Sequence, residues 1–500
     1  MALVIILVLA AILAGYLWLY LKWSGVKNYW KKKGVPFVPP HPLLGNLTFM
    51  QKQNVSLWVW DIYKRFKSPY VGIWLFWRPA LVINSFEMAE RILVKDFDNF
   101  RNRLVGSGLE NVDPIGGLNL FTVDEPHWSS IRRKLTPMFS TGKLKSLQHL
   151  YSNKSKELMI RIEQDTINKK PLELRSLFAD YTTDIIGITA FGVNSEATLT
   201  ATSHMRTVTK EFMRFTLYRG LGWVSIFFWP EVAKWFRFTM FPRDSCNYFT
   251  KVYKQIVEQR GGYNGKSEVN DLLDALRMIK YKADCNEKDI DEIAIIAQAV
   301  IFLQGGFDTS AAALTYSTYE LAYHPDAQQR AYEEVLAVSK KNEGKDFDES
   351  FIKDLPYFSC IQKEALRKYS PLGYLDRVCT REYQLDEHLT IPKGMPVLVN
   401  VAGLQYDPAY YPDPMAFKPD RFLDNGAAKK PYMPFGIGPR SCIGERFSYR
   451  TVWFALYELI LNFEIRPYPG AKKPADLEPD KVGLFYMPSE PMYVQFIPRK

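Results

Sequence analysis

Cysteine is scarce in this 500-residue sequence. There are five, Cys246, Cys285, Cys360, Cys379 and Cys442, an odd number at wide spacings with no C-x-x-C pair. That pattern excludes a disulfide framework and a cysteine-rich zinc site, and it fits a reducing compartment. No Gly/Ser-rich linker, low-complexity block or repeat follows residue 45, so nothing marks an internal domain boundary. No G-x-G-x-x-G turn joins an expected strand to a helix, which excludes the usual dinucleotide cradle. What is present is ordinary for a folded globular chain: 47% hydrophobic residues, 15% aromatic and 24% charged. A formal charge of +10 fits nucleic acid, anionic lipid, an acidic partner or a merely solvated surface, and does not choose among them.

Charge is also missing from Ala2 to Leu21, twenty residues of mostly Leu, Ile, Val and Ala with Tyr16, Trp18 and Tyr20 toward the far end. That length spans a bilayer as a helix. Ala11, Ala14 and Gly15 offer a small-residue site of the kind a cleaved signal peptide has. Apolar residues continue past them, however, and no basic region precedes them, so an uncleaved anchor is the expectation. Lys22, Lys27, Lys31, Lys32 and Lys33 load positive charge on the C-terminal side, which puts the rest of the chain in the cytosol. Pro36, Pro39, Pro40 and Pro42 with Gly45 then form a stiff segment rather than a helix. The expected organisation is an anchor over 1–21, a basic and proline-rich linker over 22–45, and one catalytic unit over 46–500.

The most informative stretch is Phe435-Gly436-Ile437-Gly438-Pro439-Arg440-Ser441-Cys442-Ile443-Gly444, which opens into a helical pattern from Glu445 to Leu461. Gly438 and Gly444 let the backbone turn tightly and approach a bulky planar group, and amides ahead of a helix N-terminus can stabilise an anion such as a Cys442 thiolate. Such a setting lowers a thiol's pKa. A buried structural cysteine is the commoner fate of a lone cysteine. Against it, these five residues at these spacings arise by chance about once in ten thousand at average residue usage.

Three further patterns accompany the loop. Glu364 and Arg367 lie three apart on a helical stretch and can pair; Pro419-Asp420-Arg421-Phe422 follows downstream. From Ile293 to Leu321 runs one long apolar helical pattern interrupted by Gln304-Gly305-Gly306-Phe307-Asp308-Thr309. Two adjacent glycines inside a helix cost about 1 kcal/mol each relative to alanine. They indicate room for a ligand, local unwinding, or a packing notch for a crossing helix. Trp128 and Arg132, four apart on a helix, place an indole N–H and a guanidinium on one side.

The cysteine loop resembles the haem-binding signature of the cytochromes P450, F-x-x-G-x-R-x-C-x-G, at every defined position. The other patterns resemble, in order, that family's W-x-x-x-R, oxygen-binding [AG]-G-x-[DE]-T and E-x-x-R segments and its second arginine motif. Finer details look like arthropod members of the clan that includes vertebrate drug-metabolising enzymes. The resemblance implies a mainly α fold with a small β-rich part around a buried haem b. By the same resemblance Cys442 would be the iron's axial ligand, Phe435 would shield its sulfur, and Arg440, Trp128 and Arg132 would hold the propionates. Arg103 and Arg377 stand where related enzymes place further propionate ligands. Thr309 and Asp308 are assigned proton delivery, and Glu364, Arg367 and Arg421 fold integrity.

The same resemblance implies a monooxygenase of the endoplasmic reticulum that takes NADPH-derived electrons from a separate FAD/FMN reductase. Cytochrome b5 is a second candidate donor, and no nucleic acid is involved. Basic residues such as Lys429, Lys430, Arg440 and Arg446 beside the loop could meet an acidic reductase face. The segments Gly106–Asn119, Leu303-Gln304-Gly305, Leu372–Leu375 and Leu484–Met487 are the expected walls of a cavity for lipophilic substrates. Gln304 departs from the apolar residue expected there and is assigned to orienting a polar substrate group. Detoxification of plant toxins or insecticides is the leading reading. A biosynthetic specialist, a haem-thiolate isomerase or dehydratase and a non-catalytic haem sensor remain alternatives.

Overall fold

A computed structural model describes the chain except residues 265–270, 286–289, 424–430, 482, 484 and 500 and, for side chains, residues 2, 3, 11 and 51. Leu484, Lys429 and Lys430 therefore lie outside the described residues. The architecture is mainly helical with a small sheet part, as the sequence leads one to expect.

Helix α1 (Ala2–Lys27) runs beyond the uncharged stretch. Its span from Val4 to Lys27 is long and apolar enough to cross a membrane, and none of its most apolar window is buried. A helix with apolar side chains on every face needs an apolar surrounding. The basic, proline-rich segment that follows is knitted into the body. The Trp30 indole donates to Ile73 O (3.0 Å) and that of Trp74 to Val26 O (3.0 Å), while Phe37 and Gly45 bridge to Gly72 and Leu75. Helix α1 thus joins the rest of the chain through a short, packed strap.

Helix α2 (Val55–Arg65) packs on a four-stranded sheet made of β1 (Tyr70–Leu75), β2 (Arg78–Ile83), β4 (Tyr374–Val378) and β5 (Pro396–Asn400) in the order β1-β2-β5-β4. β2 and β5 run parallel with Val82 opposite Leu398; β5 and β4 run antiparallel with Leu375 opposite Val399. A second sheet has β3 (Leu172–Glu173) and β6 (Phe463–Pro467) flanking β7 (Tyr493–Pro498).

The helical body contains α3 (His127–Leu135), α4 (Gln148–Ile167), α5 (Leu174–Phe191), α6 (His204–Met213), α7 (Leu217–Phe228), α8 (Glu292–Tyr323), α9 (Pro356–Lys368) and α10 (Glu445–Asn462). Helix α8 starts where the Asp291 side chain caps the Ile293 N–H and passes through the middle of the body against α5, α9 and α10. It too is apolar enough to cross a membrane, but most of that apolar stretch is buried in protein, which makes it a core helix. Thr182 on α5 donates to Phe307 O (2.8 Å), fastening the two helices beside the glycine pair.

Candidate active site

The cysteine loop is shaped by a series of backbone turns. Gly436 N–H donates to Met433 O, Ser441 N–H to Gly438 O, and Cys442 N–H to Phe435 O (2.8 Å), so the loop folds back before α10 begins. Gly436 (φ +72°) and Gly438 (φ +78°) occupy left-handed conformations that disfavour side chains. The close approach at Gly438 differs from expectation: a Cβ there would collide with the Leu93 carbonyl, so this glycine seats the loop on the neighbouring chain. Gly444 faces the cavity, and the nearest atom to a Cβ there is Cys442 Sγ at 3.8 Å.

Cys442 is exposed, and the surface it faces is a cavity of about 340 Å³ within the protein. Desolvation pushes its thiol pKa up, while the Gly444 N–H pulls it down and Arg132 and Arg103 pull more weakly. The protein alone thus reverses the lowered pKa expected from the sequence. A thiolate here would need a cation beside it to be stabilised.

One wall carries four of the expected contacts. Arg103, Trp128, Arg132 and Arg440 all line the cavity. Arg132 donates to Ser441 O (2.9 Å), which ties α3 to the cysteine loop. Arg440 donates to Val123 O (2.8 Å) and lies 4.5 Å from the centre of the Trp128 ring, and its Nε and Nη1 are buried without a partner among the described residues. Burial and the neighbouring Arg103 pull the Arg440 pKa down to about 9. Arg103 pairs with Asp376 (3.3 Å). Arg377 lies behind this wall rather than on it; its Nε is buried and unpartnered, and burial with Arg103 nearby depresses its pKa strongly. Desolvated guanidiniums with spare N–H groups fit an anionic ligand. Among the described residues no group of three or more His, Cys, Asp and Glu can hold a metal. A metal here would draw one protein ligand, Cys442, and the rest of its ligand field from a macrocycle. Haem would meet both conditions: it takes one thiolate from the protein and brings carboxylates to satisfy the arginines.

Across the cavity, α8 presents Gln304, Gly305, Gly306, Thr309 and Ser310. The helix is continuous through the glycine pair, without the local unwinding entertained from the sequence. The two glycines do different jobs. Around Gly305 there is open space, whereas a Cβ on Gly306 would lie 2.8 Å from Ile186 Cδ1. Ligand room and packing notch are therefore both present, on adjacent residues. Thr309 donates to Gly305 O (2.6 Å). Asp308 is buried on the other side of the helix; its Oδ2 is unpartnered among the described residues and its Oδ1 lies 3.9 Å from Arg175 Nη2. Arg175 lines the cavity and Asp308 does not. Sequence reasoning missed Arg175, because no local pattern links it to α8.

Substrate-wall expectations need correction. Leu303 is fully buried in the main core, one residue around the helix from Gln304, and does not line the cavity. Leu375 packs into the second core beside the sheet, with Gly436 against it, and does not line it either. The Gly106–Asn119 segment yields to its C-terminal flank, Leu120 and Phe121. Leu372, Phe485 and Met487 do line the cavity. So do residues the sequence reading left out: Phe212 and Met213 on α6, Trp223 and Phe227 on α7, and Met240 and Phe241 beyond. Phe435 is not part of the wall; its ring packs near Tyr449 (5.3 Å between centroids).

Glu364, Arg367 and Arg421 form one buried cluster. Arg367 grips Glu364 with Nε (2.7 Å) and Nη2 (2.9 Å), and Arg421 Nε reaches the same carboxylate at 3.2 Å. Arg367 also donates to Gln405 O (3.0 Å), and the Gln405 side chain accepts from Met433 N–H (2.8 Å). The cluster is thereby coupled to the start of the cysteine loop.

The family model for cytochrome P450 matches residues 35–496. Cytochrome P450 6k1 of Blattella germanica is 32% identical, covering 95% of this chain and 93% of its own. Cytochrome P450 6a2 of Drosophila melanogaster is 32% identical over 91% and 93%, and cytochrome P450 6B7 of Helicoverpa armigera 30% identical over 96% of each. The chain belongs to the cytochrome P450 family. It is a haem-thiolate monooxygenase similar to insect members numbered 6 in their names, with an apolar N-terminal helix that fits a membrane anchor.

Proposed function

We propose that this monooxygenase is held in the endoplasmic reticulum membrane by residues 1–21, with residues 22–45 as the connecting strap and residues 46–500 as the catalytic unit facing the cytosol. It inserts one oxygen atom from O2 into lipophilic small molecules as a detoxifying enzyme of broad scope. An NADPH-dependent FAD/FMN reductase supplies its electrons, with cytochrome b5 as a second donor. The observation that carries this reading is the cavity itself: Cys442 and the arginine wall on one side, Thr309 opposite, and a largely apolar, aromatic lining between. Aromatic walls bind by area and shape, so they admit many lipophilic molecules and reject few.

Cys442 would ligate the haem iron, and Arg103, Trp128, Arg132, Arg377 and Arg440 would surround its propionates. When bound, haem supplies dioxygen activation and the oxidation of the substrate. The chain's own residues do the rest. Phe212, Trp223 and Phe227 exclude water and hold the substrate. Gln304, whose Nε2 donates to Met213 Sδ (3.1 Å), positions a polar substrate group. Thr309 Oγ1, once its proton turns from Gly305 O into the cavity, can donate it there while accepting another, and the Asp308 carboxyl, with Arg175 between it and the cavity, is the acidic group behind it.

The test is mass spectrometry of products from membranes that contain the protein and a reductase, supplied with NADPH and a mixed pool of plant compounds, hormones and insecticides. Several unrelated compounds gaining one oxygen support the broad detoxifying reading. A single oxidised compound identifies a biosynthetic specialist instead. Turnover without NADPH or reductase overturns the proposed electron supply.

A further inference from the structure

Aromatic side chains form a continuous file from the cavity to the outside of the body. At the inner end Tyr486 sits between Phe485 and Met487, both of which line the cavity, and its N–H donates to Pro371 O next to the lining residue Leu372. Tyr369 lies 5.9 Å from Tyr486 between ring centroids. It stacks face to face on Tyr316 of α8 at 4.0 Å and 6°, and Tyr316 is 6.2 Å from Tyr486. The Tyr486 and Tyr406 hydroxyls interact. Tyr406 meets Trp60 edge-on at 5.2 Å, and Trp60 is half-buried under the exposed Lys64, whose Nζ stands 3.8 Å above its ring. A carboxylate serves the centre of the file: Tyr369 donates to Glu320 Oε1 at 2.6 Å, and Lys368 Nζ reaches the same oxygen at 2.5 Å. Burial opposes charge on Glu320, but hydrogen bonds from His324, Lys368 and Tyr369 hold it below the ordinary carboxylate range.

We propose that Tyr369, Tyr316, Tyr486, Tyr406 and Trp60 form an electron-hopping path that drains an unspent oxidising equivalent from the cavity to the protein surface when no substrate is oxidised. The inference rests on haem bound at Cys442. Packing alone would be met by phenylalanine. A file of phenols ending on a surface indole, with a paired carboxylate at hydrogen-bond distance from the stacked pair, is suited to moving electrons and protons together. A phenol gives up an electron readily only as its proton leaves, and Glu320 is placed to take it.

The steps balance. Tyr486 passes one electron to the cavity and is refilled by Tyr369, whose phenolic proton moves to Glu320 as it becomes a neutral radical. The electron that restores Tyr369 comes from Trp60 through Tyr406 and Tyr486, and its proton comes back from Glu320. A soluble one-electron reductant of the ascorbate class restores Trp60. Two such passes, with two protons from solvent, convert the unspent oxygen atom to water.

The experiment uses the full-length holoenzyme without substrate, mixed with a peracid and freeze-quenched for electron paramagnetic resonance after its Soret band is recorded. The wild-type protein is expected to give a tyrosyl radical signal. Tyr316→Phe/Tyr369→Phe should reduce that signal, taken per unit of Soret absorbance, several-fold and bleach the haem several-fold faster; Trp60→Phe should prolong the radical. Should the double variant fail to fold, Tyr486→Phe makes the same test. A normal Soret band with no tyrosyl signal, or a signal equally strong in the variants, overturns the path. A missing Soret band overturns haem binding at Cys442 and the path with it.

Discussion

Arg175 on α5 reaches to within 3.9 Å of Asp308 on α8, and of the two only Arg175 lines the cavity. Asp308 is buried behind the helix face that Thr309 presents. The guanidinium thus stands between a carboxyl in the core and the cavity. Arg206, the other positive charge acting on Asp308, is already paired with Asp180 at 2.5 Å.

Burial raises the Asp308 carboxyl pKa, and Arg175 and Arg206 oppose the rise. A group whose folded pKa exceeds its unfolded value contributes stability that is complete below the unfolded pKa and is lost as pH rises through the folded one. Asp308→Asn should therefore raise Tm at pH 7 and flatten the Tm profile above the ordinary aspartate range. Arg175→Gln removes an opposing charge and should extend the loss to higher pH. Calorimetry across the acid-to-neutral range decides; a lower Tm for Asp308→Asn at pH 7 contradicts the account.

Thr309 Oγ1 donates to the carbonyl one turn back, so the hydroxyl is held at the cavity wall without being needed for packing. Thr309→Ala should fold and bind haem normally. Product formation should fall by roughly 100-fold, the low end for loss of a positioned proton donor, while NADPH consumption continues. Parallel assays of product and NADPH check this, and Thr309→Ser should restore most of the coupling. Tight coupling in the alanine variant removes the proton-delivery role.

The site's chemistry was legible in the sequence to the extent that it resides in short motifs. The cysteine loop, the glycine pair with Asp308-Thr309, and Trp128 with Arg132 are each set by local spacing, and Cys442, Thr309, Trp128 and Arg132 all meet one cavity. Leu303 and Leu375 failed for a geometric reason: a step of one residue along a helix or strand turns a side chain by about 100° or 180°, so apolar neighbours of a lining residue face the core. Arg175, Phe212 and Trp223 come from elements far away in the chain, and no local pattern distinguishes an apolar face that lines a cavity from one that packs.

Glu364 is fully buried and neutralises Arg367 and Arg421 together, and Lys418 N–H donates to it as well. Glu364→Gln leaves two guanidiniums in the interior without a counter-charge, a loss of about 3–5 kcal/mol. Because Arg367 reaches the cysteine loop through Gln405 and Met433, the expected result is a sharp fall in haem content as well as in Tm. The ratio of haem absorbance to protein absorbance reads this directly. Haem content at the wild-type level in a destabilised Glu364→Gln protein would separate the cluster from loop assembly.

Gly305 and Gly306 make opposite predictions from adjacent positions. At Gly305 a methyl group meets nothing within 4 Å and adds helix propensity of about 1 kcal/mol. Gly305→Ala should therefore raise Tm while weakening ligand binding, because the methyl takes cavity space opposite Cys442. At Gly306 the methyl is driven against Ile186 Cδ1 and Cγ1 at 2.8 and 2.9 Å, where α5 and α8 are already pinned by Thr182. Overpacking of this kind costs about 1–3 kcal/mol, so Gly306→Ala should lower Tm, and Ile186→Ala in the same chain should recover part of the loss. A double-mutant cycle on Tm, read beside ligand-induced spectral titrations, tests both: additive losses at Gly306 and Ile186 mean that the notch is not what holds the two helices at their spacing.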